Sequence, residues 1–192
     1  MNYLAHIYLS GDNQDLMVGN FIADHVKGSM IQQFKEEIKA GIILHRAIDQ
    51  FTDSHPVVEL SKARLRVEFR KYAPVIVDIF YDHFLARDWQ QYHGKSLDLF
   101  STQTYEILHR YDAILPERAK NMLSYMEPQN WLLGYAKMEG MQKALTGLSR
   151  RTKFISGMEN AHLALEKDYA LYEKEFTDFF QELRLFVAAL TL

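Results

Sequence analysis

The chain has 192 residues, 48% hydrophobic and 24% charged, with a net charge of −3. That length suits one domain with a sizeable core, and the balance excludes an unfolded chain. Cysteine is absent, which excludes disulfides, thiolate ligands and thiol nucleophiles.

No apolar run approaches the ~20 residues of a membrane span. The stretch Met1 to Leu9 lacks the basic start and cleavage site of a leader. A cytoplasmic protein is expected, with no membrane partner. The small net charge marks no nucleic-acid partner either. Nothing in the sequence speaks to oligomeric state.

Taken in order, the segments carry helical period. Asn2-Tyr3-Leu4-Ala5-His6 opens the chain, and Gly11-Asp12-Asn13 reads as a polar turn. Gly19-Asn20-Phe21-Ile22-Ala23-Asp24 follows, with Asn20 and Asp24 at i and i+4. Gly28 suits the end of a helix containing Phe21, Ile22 and Val26. Ser29 with Gln32 resembles a capping box that opens a helix running toward Asp53.

Ser54-His55-Pro56 is a break, with Pro56 in the first turn of the next helix. That helix shows Leu65, Phe69 and Tyr72 on one face and a basic stripe of Lys62, Arg66 and Arg70 on another. Pro74 kinks or restarts it, His93-Gly94-Lys95 reads as a turn, and a helix through Phe100, Tyr105, Ile107 and Leu108 comes next. Pro116 and Pro128 each suit a helix start, and Ser149-Arg150-Arg151-Thr152 is a basic connection. A last long helix is expected from about Phe154 to Val187, its aromatic residues facing the core. Alternation is too sparse for a sheet. The expected fold is all-α, a helical bundle in one domain over residues 1–192.

Two clusters carry ionisable groups inside apolar text. The first holds His45, Asp49 and Asp53; the second holds Asp78, Asp82 and His83. Helical spacing puts His45 above Asp49 and Asp78 above Asp82. Ionisable groups are seldom buried among such neighbours unless they pair or hold a metal. A surface ion pair explains His45 and Asp49 equally well. Two like charges at Asp78 and Asp82 repel unless a cation lies between them or each faces water. His83 is turned ~100° from Asp82 and can instead be satisfied by a core carbonyl. Read alone, His6 is an ordinary partly buried histidine and Asp24 a surface charge. There is no Gly-x-Ser-x-Gly elbow and no phosphate-binding glycine loop.

Together, Asn2-x-Leu4-Ala5-His6, Gly19-Asn20-x-x-Ala23-Asp24, Gly41-Ile42-x-x-His45-Arg46-x-Ile48-Asp49-x-x-Thr52-Asp53 and Asp78-x-x-x-Asp82-His83-Phe84-Leu85 resemble the acyl carrier protein phosphodiesterases. The resemblance continues more loosely through Trp89, Leu115-Pro116, Trp131-Leu132 and Gly147-x-x-Ser149-Arg150-Arg151. It implies a helical fold similar to the HD-type metal-dependent phosphohydrolases, although the His–Asp doublet is reversed here as Asp82-His83. It implies hydrolysis of the phosphodiester joining 4′-phosphopantetheine to a serine of holo-acyl carrier protein. The implied cofactor is a divalent metal, manganese first, with magnesium or iron as alternatives.

On that resemblance Asp24, His45, Asp78, Asp82 and His83 are expected to hold the metal. His6 and Asp49 would orient water or a ligand, and Arg46 would contact phosphate through its fork. Lys62, Arg66 and Arg70, with Arg64 and Lys71 nearby, or Arg150, Arg151 and Lys153, would form the surface for an acidic carrier protein, against the simpler reading of solvated helix faces. Two rivals stand beside this reading. One is an HD-type phosphohydrolase acting on a nucleotide such as a guanosine polyphosphate, and the other is a non-catalytic helical binding module.

Overall fold

In the computed structural model, which describes residues 1–190, every regular element is helical. The final two residues of the expected 1–192 domain lie outside the described residues. The first helices are α1 (Tyr3–Leu9), α2 (Gln14–Ile22), α3 (Glu36–Ser54), α4 (Pro56–Phe69) and α5 (Ala73–Arg87). They are followed by α6 (Leu97–Arg110), α7 (Glu117–Met126), α8 (Trp131–Gly134), α9 (Met138–Ser149), α10 (Ala161–Lys167) and α11 (Tyr169–Ala189). Buried apolar side chains from all of them form one continuous cluster.

Local chemistry sets most boundaries. Asn13 caps α2 by accepting from the Leu16 amide at 3.1 Å, and Pro56 occupies the first turn of α4 as expected. The His93–Lys95 turn is held by the Trp89 indole, which donates to the Lys95 carbonyl at 2.8 Å. Four expected boundaries need correction. Gly28 ends no helix: α2 stops at Ile22, and Val26 lies beyond it. Ser29 caps nothing: Gly28–Gln33 is 3-10 turn, and α3 starts only at Glu36. Pro128 lies ahead of α8, whose cap is Asn130 in the left-handed region, accepting from the Leu133 amide. The expected Phe154–Val187 helix is two, α10 and α11, broken at Asp168, and residues before Met158 are not helical.

Two contacts fix the helices around the cleft. α2 and α3 touch backbone to backbone. A Cβ on Gly19 would lie 2.1 Å from the Ile38 carbonyl, and one on Gly41 would lie 2.2 Å from the Leu16 carbonyl. Only glycine at both positions permits that crossing, which locks the register of the two helices. On the other side, α11 buries Tyr172, Phe176 and Phe179 against Phe80, Tyr81 and Phe84 of α5, and Phe180 against Tyr8 and Tyr92. Each aromatic ring removed from water there contributes roughly 1.5–3 kcal/mol. The aromatic residues of α11 therefore face the core, as expected from the sequence. α5 is thereby a fixed central post, and α1 crosses it at the N-terminus.

Candidate active site

The α2–α3 crossing brings three imidazole and carboxylate groups together. His45 and Asp49 lie one turn apart on α3, and His6 comes in from α1. The His6 and His45 rings stack with centroids 3.9 Å apart and 16° between planes. Asp49 Oδ1 lies 3.2 Å from His6 Nε2, and Asp49 Oδ2 lies 3.2 Å from His45 Nε2. Asp24 Oδ1 approaches the same His45 nitrogen at 3.4 Å from the more exposed side.

Asn20 settles the orientation of His45. Its amide nitrogen donates to the His6 carbonyl at 2.8 Å and to Ser10 Oγ at 3.0 Å, while Ser10 Oγ donates to the same carbonyl. A carbonyl only accepts, so the Asn20 nitrogen must face it and Asn20 Oδ1 must face His45 Nδ1, 3.0 Å away. His45 Nδ1 therefore carries a proton, and Nε2 is the nitrogen presented to Asp24 and Asp49. Orientation of a ligating imidazole by a bond to its other nitrogen is the usual support for a metal-binding histidine.

The two rings differ electrically. Burial lowers the His6 pKa to about 4, outweighing the nearby Asp49, so that ring is neutral. Burial also acts against a charged His45, but Asp24 and Asp49 outweigh it and push its pKa up to about 9. Asp49 itself is held far below the ordinary carboxylate range, because both histidines overcome its desolvation. Carboxylates that stabilise a proton on His45 Nε2 stabilise a divalent cation in the same place.

These residues fit a metal. His6, His45 and Asp49 each offer one ligand atom, all within 4.8 Å of one another. Both ring nitrogens of His6 are buried and lack a hydrogen-bond partner among the described residues, since Asp49 is near but out of line. A buried histidine without a partner is costly unless something else meets its nitrogen. The mixed nitrogen and oxygen donor set suits manganese, iron or zinc.

The cluster forms part of the floor of a cleft of about 1350 Å³. α7, α8 and α9 supply the opposite wall, with Trp131 and Met122 among its apolar residues. Arg118, Lys143, Arg150 and Arg151 also line the cleft, Arg151 lying over the Trp131 ring at 5.9 Å. None of these four cations meets a carboxylate within 4 Å among the described residues, so the walls offer free positive charge above an acidic and imidazole floor.

The profile of the family described as acyl carrier protein phosphodiesterase matches residues 1–183. The chain belongs to that family. A relative named acyl carrier protein phosphodiesterase from Serratia proteamaculans is 32% identical over 184 residues, covering 95% of both chains. One so named from Escherichia coli O157:H7 is 33% identical over 185 residues, 94% of each chain. Another, from Photorhabdus laumondii, is 30% identical over 181 residues, 94% of this chain and 91% of the relative. No solved structure matches.

Within this family member the expected site residues separate into two groups. His6, Asp24, His45 and Asp49 converge on the cleft floor, with His6 and Asp49 beside the proposed metal position itself. Asp78 lies on the same cleft but is engaged by the Met1 amino nitrogen, 3.1 Å away, which also lies 3.9 Å from Asp49. Asp53 sits at the rim, 2.7 Å from Lys62 Nζ.

Asp82 and His83 need correction. Asp82 is fully buried, and its two oxygens accept the Leu4 and Ala5 amides at 2.8 and 3.2 Å. It caps the first turn of α1 in place of Asn2, whose side chain instead donates to the Tyr135 hydroxyl. Burial raises its pKa to about 7 despite those two amides. His83 has both nitrogens occupied, Nδ1 2.8 Å from the Tyr135 carbonyl and Nε2 2.9 Å from the Tyr169 hydroxyl. The two neighbours point to different partners, as their ~100° separation on the helix requires. Neither presents a vacant ligand atom to the cleft.

Arg46 is likewise displaced from its expected role, donating to the Val26 carbonyl at 3.2 Å and lining no part of the cleft. The stripe on α4 is dispersed. Lys62 is buried against Asp53, Arg66 pairs with Glu59, and Arg70 leaves the helix at φ 50°. Arg150 and Arg151 do reach the cleft. Sequence reading missed Asn20 as the partner of His45, and Arg118 and Lys143 as cleft cations. The Gly19-Asn20 and Gly41 spacing carried the signal for Asn20, because two close-packed glycines fix what lies beside them.

Proposed function

We propose that this chain hydrolyses the phosphodiester linking 4′-phosphopantetheine to a serine of holo-acyl carrier protein. Water adds to phosphorus, the bond from phosphorus to the serine oxygen breaks, and the serine regains a proton. The products are apo-carrier protein and 4′-phosphopantetheine. Membership of a family whose relatives bear that name across nearly the whole chain carries the reading.

The site's chemistry supports it. A divalent metal, manganese by preference with magnesium or iron as alternatives, supplies charge neutralisation and eases deprotonation of water. His6, His45 and Asp49 would hold it, with Asp24 closing the open side and Asn20 keeping Nε2 of His45 turned inward. Arg118, Arg150 and Arg151 along the cleft can meet the phosphate oxygens and orient the ester. A cleft of about 1350 Å³ accommodates an extended prosthetic arm as well as the phosphate. Among the described residues no helix is long and apolar enough to cross a membrane. A cytoplasmic place in fatty acid metabolism goes with this reading. The likeness to HD-type phosphohydrolases is what the family resemblance implies.

Mass spectrometry of holo-carrier protein, incubated with the protein and manganese, tests the reading. Loss of the whole prosthetic group as 4′-phosphopantetheine is expected. An intact holo-carrier protein alongside phosphate release from a guanosine polyphosphate would instead establish the nucleotide reading.

A further inference from the structure

The segment joining α9 to α10 is built rather than slack. Ser156 is buried with its hydroxyl 2.9 Å from Ser149 Oγ, which donates to Glu159 at 2.5 Å. Gly157 turns the chain at φ +71°, and an added Cβ there would touch the Phe69 ring at 3.7 Å. Met158 is plugged into the core immediately after. Between these anchors the backbone lifts Phe154 and Ile155 outward, leaving them 67% and 100% exposed.

A lone exposed apolar residue needs no explanation. This pair is different because of what surrounds it. Lys71 Nζ lies 4.8 Å from the Phe154 ring, which brings the α4–α5 junction alongside the segment. Arg70, Lys71, Arg150, Arg151 and Lys153 are all exposed, and none meets a carboxylate within 4 Å among the described residues. Other cations, such as Lys35, Arg64, Arg66, Arg87 and Lys174, do meet carboxylates, while Arg118 and Lys143 in the adjoining cleft stand unpaired among the described residues, like the patch. Like charges gathered without counter-charges repel one another, so the grouping is a cost the isolated fold carries.

The patch also borders the cleft. Arg150 and Arg151 belong to both, and Pro74 and Val75, just beyond Lys71, line the cleft wall. A protein substrate whose ester must reach His6 and His45 can rest on this side of the cleft, where Arg150 and Arg151 join the patch to its lining. We infer that Lys71, Lys153, Phe154 and Ile155, with Arg70 and the cleft arginines, form the docking surface for the protein part of the substrate. The matching partner surface presents carboxylates around a small apolar spot. Attraction steers the encounter, and the two apolar side chains give the short-range contact that fixes orientation. This inference rests on the carrier protein reading.

Steady-state kinetics on holo-carrier protein with the full-length protein test it. The Lys71→Glu/Lys153→Glu/Ile155→Ser variant should raise KM about tenfold or more, leave kcat within about twofold, and flatten the rise of KM with salt. Ile155→Ser alone, a change at a fully exposed side chain, should raise KM several-fold with an unchanged melting temperature. Lys95→Glu/Arg110→Glu sits on a separate hollow of about 310 Å³ that shares no residue with the cleft, and should leave KM within about twofold. A triple variant with wild-type KM overturns the inference, as does an equal KM increase in both multiple variants. Anionic phosphatidylglycerol vesicles that bind wild type but not the triple variant, with KM unchanged, would reassign the patch to a lipid surface. Wild type that releases nothing from holo-carrier protein fails at an earlier step. It overturns the carrier protein reading, and the docking surface with it, before any variant is compared.

Discussion

The two ionisable clusters look alike in sequence, yet His45 and Asp49 of the first and Asp82 and His83 of the second have opposite fates in the fold. His45 and Asp49 on α3 keep ligand atoms facing a cleft, joined there by His6 and Asp24. Asp82 and His83 on α5 face inward, where two backbone amides, a carbonyl and a tyrosine hydroxyl saturate them. Residue type and spacing do not separate these cases. The difference is whether the packing supplies partners already. In the first cluster Asn20 takes one nitrogen of His45 and leaves the other, while His6 is left with neither nitrogen hydrogen-bonded among the described residues. In the second, every strong acceptor and donor closes a helix end or ties α5 to the rest of the bundle. On the function proposed above, the first arrangement would serve chemistry, while the second serves architecture.

The sharpest way to break that contrast is to remove Asp49 or His45. Either change to alanine should cut hydrolysis by about 10³-fold or more, the several kcal/mol of charge stabilisation a metal supplies, with helix content by circular dichroism unchanged. Near-normal turnover in both would erase the distinction.

Asn20→Ala probes the support beneath His45. Metal affinity should drop about 10- to 100-fold, as for other losses of an orienting partner. Ring nitrogen spectra of the metal-free protein, recorded above the His45 pKa of about 9 where the ring is neutral, should also show His45 losing its preference for a proton on Nδ1. An unchanged ring spectrum would mean that Asn20 does not set the tautomer.

Asp82 should read out as stability. Asp82→Ala leaves the Leu4 and Ala5 amides buried without an acceptor and should lower unfolding free energy by about 2–3 kcal/mol in denaturant titration. Its folded pKa of about 7 lies above the ordinary 3.8, so between those values the folded state holds a proton that the unfolded chain releases. Stability therefore falls as pH rises from about 4 to about 7 and levels off above that. Measured against Asp82→Asn, wild type should lose melting temperature across that window; a parallel course for the two proteins would contradict the assignment. His83→Phe is the mildest change. It should cost about 1–2 kcal/mol through the two lost hydrogen bonds and leave kcat on holo-carrier protein within a few-fold.

Much of the fold was legible in the chain. The all-α class, the break at Ser54–Pro56, the turn at His93–Lys95 and the inward aromatics of α11 all follow from period and punctuation. The split at Asp168 was hidden because no proline or glycine marks it, and helical period continues on both sides. The Ser29 box misled because a local cap pattern says nothing of whether the next residues stay helical. At the site, spacing found His45 and Asp49, and the family resemblance supplied His6 and Asp24. It could not reveal that Asp82 caps a helix 77 residues earlier in the chain. Nor could it reveal that Lys62 is buried against Asp53, since both depend on which helices cross.

Calorimetric titration of manganese into His45→Ala and His83→Phe compares the two clusters directly. Wild type and His83→Phe should each bind metal with similar affinity, while His45→Ala should show no saturable uptake at the same concentrations. Uptake preserved in His45→Ala and lost in His83→Phe would move the metal to α5 and contradict the account.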